Sequence, residues 1–259
     1  MSLNGLFGIF DYLIYLVQST NRHGVHSPFV YSFADKVLYG KQHCMYEPAA
    51  ELCRKRMIQS QKKIRLLDGK NELLSSIALK NVPSAKYNRL MFRWVQYQKL
   101  GKHIVEFGST LGVLPLYLQR GDSSVNRYHI FEKSETLQEI TKYNLAEYEC
   151  NESIRVIPFT SAAQSIASLQ EQNIVDIDLL IVNQTMETDE FWHLIEWAIP
   201  RLGSNGSIVF NKLNETPESQ LRWKQLQNLA DITVSIDLFG MGMAFARKEQ
   251  IKESFLLRY

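Results

Sequence analysis

The sequence predicts an α/β chain: a doubly wound sheet of seven mainly parallel strands with an N-terminal helical extension. Three observations predict it. From Ile104 onward, short apolar runs of strand length alternate with stretches whose apolar residues recur at helical spacing. The first of these runs passes directly through a glycine-bearing turn into a helix. The last two runs, Ile232–Asp237 and Gly242–Ala246, lie too close together for a crossover helix and must pair antiparallel. The expected division is an extension over residues 1–83 and an α/β domain over residues 84–259.

The elements follow in chain order. Leu3, Leu6, Phe7, Phe10, Leu13, Ile14 and Val17 fall at three- and four-residue spacings, an amphipathic helix with a broad apolar face. That face is expected to pack on the main domain or on a second copy. It carries no lysine or arginine to meet anionic lipid, and Asn4, Asp11 and Gln18 interrupt it too often for a membrane span. Asn21-Arg-His-Gly-Val-His-Ser-Pro-Phe29 reads as an ordered turn, with Gly24 and Pro28 as its breakers. Its His23 and His26 could accept protons near neutral pH, or could fix the turn through backbone hydrogen bonds. Phe29–Leu38 and Glu47–Gln59 read as helices, and the basic Lys62–Asn71, with its Asp68-Gly69 turn, as a mobile linker. Ser84 is placed as the cap of a helix carrying Tyr87, Leu90, Met91, Trp94 and Val95, which ends at Leu100 with Gly101 as its left-handed stop.

Ile104–Phe107 is then a buried strand, expected at the centre of the sheet, and Leu111, Leu114 and Leu118 open a helix. Pro115 lies close enough to its start to be tolerated. Tyr128–Phe131, Ile154–Pro158, Ile177–Val182 and Ser207–Phe210 read as further strands. Thr136–Tyr148, Ser161–Gln172, Thr188–Ile199 (capped by Thr188) and Pro217–Leu229 are the helices between and after them.

Composition narrows the function classes. The 259 residues are 45% hydrophobic and 22% charged, an ordinary globular balance with length for one large core. A net charge of +2 gives no reason to expect nucleic acid as a partner, and the basic cluster Arg54–Arg65 is explained by a solvated helix face. Cys44, Cys53 and Cys150 form no Cys-x-x-Cys pair and suit a reducing cytoplasm. No basic residue precedes Arg22, so the start lacks the charged region of a secretory signal. Gly-x-Ser-x-Gly and Gly-x-x-x-x-Gly-Lys signatures are absent, which argues against hydrolases and NTPases.

In open α/β sheets the ligand lies beyond the carboxyl ends of the strands. After the first strand come Gly108, Ser109, Thr110 and Gly112. Backbone N–H groups and the helix start there suit a nucleotide-type ligand, although glycines also serve plain helix–strand packing. Glu106 ends that apolar strand, where a carboxylate is costly without a partner. Glu132, followed by Lys133, ends the next strand, where ribose hydroxyls of an adenosine ligand would sit. The third strand is followed by Phe159, Thr160 and Ser161, the fourth by Asn183 and Gln184, and the fifth by Asn211 and Lys212.

Glu106-Phe-Gly108-Ser-Thr-Leu-Gly112 followed by Glu132 resembles the class I S-adenosylmethionine-dependent methyltransferases, and the Glu-x-Gly-x-x-x-Gly form is closest to small-molecule O-methyltransferases. Asn21–Phe29 and the ending Ile236-Asp-Leu-Phe-Gly-Met-Gly-Met-Ala-Phe-Ala-Arg-Lys248 resemble a sparsely characterised bacterial branch of that superfamily. The resemblance implies a Rossmann-like methyltransferase fold, S-adenosylmethionine as cofactor, and a small-molecule substrate. It implies Glu106, Gly108, Ser109, Thr110, Gly112, Glu132, Lys133, Thr160, Ser161 and Asn183 as cofactor-binding residues. Many relatives carry an acid after strand three for the adenine amino group, where this chain offers the hydroxyl of Thr160 or Ser161.

Metal-dependent O-methyltransferases carry an aspartate after strand four and an acidic pair or Asp-Asn after strand five, whose oxygens hold magnesium or calcium. Here those positions are Asn183, Asn211 and Lys212, so no metal is expected. Activity would be metal-independent, or lost. Methyl transfer needs in-line placement and, for a hydroxyl, removal of a proton; His23, His26 and Lys212 are the catalytic candidates. The reading is a cytoplasmic, homodimeric enzyme of small-molecule O-methylation. Its alternative is a non-catalytic protein of the same fold that serves as a binding or dimerisation module. A dinucleotide oxidoreductase fits less well, because Thr110 stands where its second glycine belongs.

Overall fold

Helix α1 (Leu3–Gln18) opens the chain in the computed structural model, which describes residues 3–100, 102–119, 127–150, 153–183 and 186–259, with side chains from residue 10 onward. A tight turn at Arg22–Gly24 leads into α2 (Pro28–Phe33), which continues as a π-helical turn over Ala34–Leu38. Pro48, in the first turn of α3 (Glu47–Ile58), lacks only an N–H that would have no intrahelical partner. The segment expected as a mobile linker is instead a hairpin of β1 (Lys63–Arg65) and β2 (Asn71–Leu73). Gly69, at φ +78°, closes its turn, and Leu66 N donates to Lys70 O at 2.8 Å. Three-residue strands are too short to display a period-two pattern, and only Ile64 faces inward among charged neighbours.

Helix α4 (Leu74–Asn81) follows, then α5 (Ala85–Gln98). Ser84 stands at the cap position of α5 but makes no side-chain cap bond. The left-handed stop is Lys99, at φ +54°, rather than Gly101, which lies outside the described residues. Next come β3 (His103–Phe107), α6 (Val113–Leu118), β4 (Arg127–Glu132), α7 (Glu135–Glu147), β5 (Ile154–Pro158) and α8 (Ala162–Glu171). The chain ends with β6 (Ile177–Val182), α9 (Thr188–Ala198), β7 (Leu202–Asn211), α10 (Pro217–Asn228), β8 (Val234–Asp237), β9 (Met241–Phe245) and β10 (Glu253–Leu256). Glu187, not Thr188, takes the cap position of α9; Thr188 Oγ1 accepts from Arg222 Nη2 at 3.1 Å.

The sheet has eight strands rather than the seven expected, in the order β10-β8-β9-β7-β6-β3-β4-β5. The extra strand is β10, four residues at an edge, paired parallel to β8 with Phe255 opposite Ile236. So short a segment carries no readable period. Strand β3 lies inside the sheet between β6 and β4, as expected, and β9 is antiparallel to both β7 and β8. All the other strands of this sheet run with β3.

Alternation along β3 sends successive side chains to opposite faces, and each face has its own core. Ile104 joins Phe33, Val37, Leu90, Trp94 and Phe245 on one side. Val105 and Phe107 join Leu180, Phe191 and Trp223 on the other. Trp94, fully buried, places its indole N–H on Ser207 Oγ at 2.9 Å, so its size is accommodated without an orphaned donor. The extension shares these cores. Val25–Leu38 belong to the first cluster, and α3 and α4 form a third with Leu111, Val113 and Tyr117. Arg93 ties the π turn to the C-terminus, donating to Leu38 O at 3.3 Å and to Tyr259 Oη at 3.1 Å.

Among its described side chains, helix α1 turns Tyr15 rather than the aliphatic stripe inward. Tyr12 and Tyr15 pack their rings 5.0 Å and 5.2 Å from that of Phe239, and Tyr15 Oη donates to Leu257 O. The stripe residues Phe10, Leu13, Ile14 and Val17 are all exposed, Val17 at 86%. Among the described residues no helix is long and apolar enough to cross a membrane.

Candidate functional site

The loop after β3 is built by backbone conformations that most residues avoid. Gly108 has φ +80° and Gly112 φ +85°, and Leu111 between them sits at φ +52°. Helix α6 therefore begins at Val113, two residues later than the apolar pattern places it. A Cβ on Gly112 would lie 3.3 Å from Cβ of Asn144 on α7, so this glycine allows the loop to sit against a neighbouring helix. Asn144 secures the contact by donating from Nδ2 to Leu111 O at 2.8 Å.

Two carboxylates hold the loop. Glu106 is fully buried; its Oε1 accepts from Thr110 N at 2.8 Å and Asn183 Nδ2 at 2.9 Å, and its Oε2 accepts from Tyr128 Oη. All three of these partners belong to the protein, and through Thr110 N the carboxylate braces the loop from beneath. Burial pushes its carboxyl up to about 7, against the opposing pull of the Tyr128 and Thr110 donors. Glu132 stands at the end of β4, 5% exposed, accepting from Ser109 N and Ser134 N at 2.8 Å each. Burial raises its pKa, partly offset by those backbone donors. Each of its oxygens keeps a lone pair for a further donor. Ser109 Oγ pairs with Thr141 Oγ1 at 2.6 Å and accepts from Leu111 N at 2.9 Å, and Thr110 Oγ1 accepts from Leu114 N at 3.3 Å. Both side chains thus shape the loop from within.

Beside Glu132, a hollow of about 280 Å³ is lined by Lys133, Phe159, Thr160 and Met186, with Glu187, Glu190 and Glu218 at its rim. Thr160 is exposed there, its Oγ1 paired with Gln164 Oε1. Ser161 is the cap of α8, its Oγ accepting from Gln164 N at 3.2 Å, which leaves Thr160 the freer of the two hydroxyls. Glu190 Oε2 accepts from Ala162 N and so closes the start of the same helix.

At the ends of β6 and β7, Asn183 donates to Gly108 O at 2.8 Å, and its Oδ1 accepts from Asn211 Nδ2. Lys212 follows at φ +61°, its Nζ 3.3 Å from Asn81 Oδ1 and 3.8 Å from Glu215 Oε2. Burial lowers its pKa, and Lys80 nearby adds to the effect. Gln184 lies outside the described residues. A divalent cation does not fit this donor set, since Asn183 spends its amide on protein partners and an ammonium stands where a carboxylate would be needed.

The two histidines are placed elsewhere. Thr20 bridges to Leu257 beside β10, and Ser27 Oγ donates to Gln250 Oε1 at 3.3 Å, at the amino end of that strand. Five strand spacings of about 4.8 Å, roughly 24 Å across the sheet, separate β10 from β3. His23 and His26 are exposed there, in a turn that packs on β10 and not beside the glycine loop; periodicity says nothing of which sheet edge a turn reaches. Lys212 is the one catalytic candidate at the strand ends. Sequence reasoning missed Tyr128, Thr141 and Asn144, which hold the loop. Tyr128 betrays itself only through register, being two residues before the Ile130 that pairs with Glu106.

A strand–turn–helix loop of this kind at the carboxyl end of an interior strand, in a sheet whose one antiparallel strand is β9, defines a Rossmann-like methyltransferase fold. Solved structures with this fold include the S-adenosylhomocysteine-bound methyltransferase PaMTH1 of Podospora anserina, at 15% identity and TM-score 0.58, over 87% of this chain and 100% of that one. An O-methyltransferase of Bacillus cereus in complex with S-adenosylhomocysteine matches at 15% identity and TM-score 0.55, over 85% and 97%. TomG of Streptomyces achromogenes, an O-methyltransferase of tomaymycin synthesis in complex with S-adenosylmethionine, matches at 14% and 0.54, over 80% and 91%. At such identities the likeness is one of fold. No family model and no curated protein matches the sequence.

Proposed function

We propose that the protein is an S-adenosylmethionine-dependent methyltransferase that methylates a small molecule at oxygen without a metal ion. One observation carries the reading. Two buried carboxylates brace a left-handed glycine loop, and one of them, Glu132, retains acceptor capacity beside a hollow walled by Phe159 and Met186. Glu132 would take the ribose hydroxyls, Phe159 and Met186 would flank the base, and Thr160 or Glu187 would accept from its amino group. Around this hollow Glu187 and Glu190 stand against Lys133, while Glu218 is paired with Arg222 at 2.5 Å. When bound, S-adenosylmethionine supplies an electrophilic methyl whose C–S electron pair stays on sulfur as an acceptor oxygen's pair makes the new O–C bond. The chain's part is to orient both partners and exclude water, work that needs no acid–base group if the acceptor arrives ionised.

Calorimetric titration with S-adenosylhomocysteine is expected to show saturable one-site binding, unchanged by a chelator. Absence of binding at millimolar ligand would leave the interaction-module alternative in its place. Binding without turnover of any acceptor would favour a degenerate, non-catalytic descendant.

The homodimer and the cytoplasmic setting belong to the same reading. The exposed Phe10, Leu13, Ile14 and Val17 supply an apolar surface suited to a second copy, and the three free cysteines suit a reducing compartment. Light scattering is expected to give twice the 30.0 kDa chain mass, and Val17→Lys to shift it toward one chain. A monomeric wild-type protein would refute the dimer.

A further inference from the structure

On the far side of Asn183 from the Glu132 hollow lies a second cavity, of about 210 Å³, between the α4–α5 junction and the ends of β6 and β7. Its charge is opposite to that of the first. Lys212 and Lys80 line it, and among the described lining residues there is no acid. Lys80 is bound to Glu72 at 2.6 Å and reaches solvent, with 59% of its side chain exposed. Lys212 is three-quarters buried, and its three N–H donors meet one long hydrogen bond to Asn81 and one loose ion pair with Glu215. The remaining polar groups are largely committed: Tyr87 Oη donates to Leu238 O at 2.9 Å and accepts from Gly240 N at 3.1 Å, and Asn183 and Asn211 bond to each other. Leu79, Val82 and Pro83 complete the wall with apolar surface.

A largely buried ammonium with spare donors, whose ion pair with Glu215 is loose and whose cavity is lined by no carboxylate among the described residues, leaves room for a further anion. The wall opposite it is apolar, so the anion would carry a hydrocarbon body. The volume lies below the roughly 300–1,000 Å³ of sites for drug-sized ligands, so the body is small. The cavity adjoins the glycine loop, since Asn183 lines it and donates to Gly108 O at 2.8 Å.

We infer that this cavity is the acceptor site and that it takes a small monocarboxylate, with Lys212 Nζ on the carboxylate and the body against Leu79, Val82 and Pro83. As an acceptor site it rests on the methyltransferase reading; as an anion site it stands on its own walls. A carboxylate is ionised at neutral pH, so it needs no base in a site where the structure brings none but Lys212. The positive charge of Lys212 then orients the oxyanion.

The test uses benzoate and its neutral isostere benzamide as probes, titrated by ligand-observed NMR against the full chain near neutral pH, with and without S-adenosylhomocysteine. Benzoate is expected to bind wild type at least about tenfold more tightly than benzamide, a charge-assisted preference. Lys212→Met is expected to abolish the preference and Lys212→Arg to keep it, the latter guarding against a simple packing defect. Equal binding of the two probes, no saturable benzoate binding, or a preference that survives Lys212→Met would overturn the inference. Failure of S-adenosylhomocysteine itself to bind would instead sink the methyltransferase reading, while the benzoate comparison still decides whether the cavity is an anion site.

Discussion

Glu106→Ala is expected to destabilise the protein by roughly 3–6 kcal/mol, a large share of the about 5–15 kcal/mol that holds a typical domain together. Three donors converge on this carboxylate: Thr110 N, Asn183 Nδ2 and Tyr128 Oη. Truncation leaves them buried without acceptors, at about 1–3 kcal/mol each and not strictly additive. Glu106→Gln keeps the shape and one oxygen, and should be far milder. It also serves as the reference for a pH experiment. The folded carboxyl titrates at about 7, against 4.5 for the free side chain, because burial penalises its charge. The fold therefore holds a proton that the unfolded chain releases. The stability contributed by this group is complete below pH 4.5, declines across the interval to about 7, and is level above it. Urea denaturation should show wild type losing about 2–3 kcal/mol more than Glu106→Gln between the two ends of that window. Glu132, whose pKa is also raised, contributes the same sign to both proteins. Parallel pH profiles for the two proteins would show that Glu106 is not the titrating group.

The second large effect is expected at Glu132. Removing its carboxylate to give Glu132→Ala deletes the acceptor proposed for the ribose hydroxyls, a charge-assisted bond worth roughly 1.5–3 kcal/mol. The affinity for S-adenosylhomocysteine should fall about ten- to hundredfold, since each 1.4 kcal/mol is a factor of ten. The same substitution orphans Ser109 N and Ser134 N, at about 1–3 kcal/mol apiece, so the loop loosens as well. Glu132→Gln separates the two consequences. It keeps a carbonyl for one backbone donor and removes the charge, so affinity should drop at least about tenfold while thermal stability falls less than in Glu132→Ala. Wild-type affinity should also weaken as pH falls through the raised pKa of Glu132, because a protonated carboxyl is the poorer acceptor. If both variants, where folded, bind as wild type does, Glu132 only braces the loop.

What the sequence determined by itself was local and periodic. Ile104–Phe107 and Ile177–Val182 are apolar but for Glu106 and Asp178, a density of apolar residues that marks interior strands. The brevity of the link between β8 and β9 forces their antiparallel pairing. The glycines at 108 and 112 mark a turn whatever surrounds it, because their left-handed conformations exclude most other residues. Tertiary structure decided everything that depends on who meets whom. The stripe of α1 predicts a shared face, yet Tyr15 is the buried residue and Phe10, Leu13, Ile14 and Val17 lie exposed, since a period names a face without naming what covers it. Residues 63–73 pair as a hairpin, and β10 joins a distant strand, through hydrogen bonds that leave no trace in four or fewer residues. Only the strand register sets Tyr128 and Asn183 against Glu106 and makes it a brace of the loop. His23 and His26 share a motif with nothing near the strand ends, whereas Lys212, an isolated lysine in the sequence, meets Lys80 and Asn81 from a helix more than a hundred residues earlier in the chain. Burial and charge at a site are sums over segments remote in sequence, and only the folded chain performs that sum.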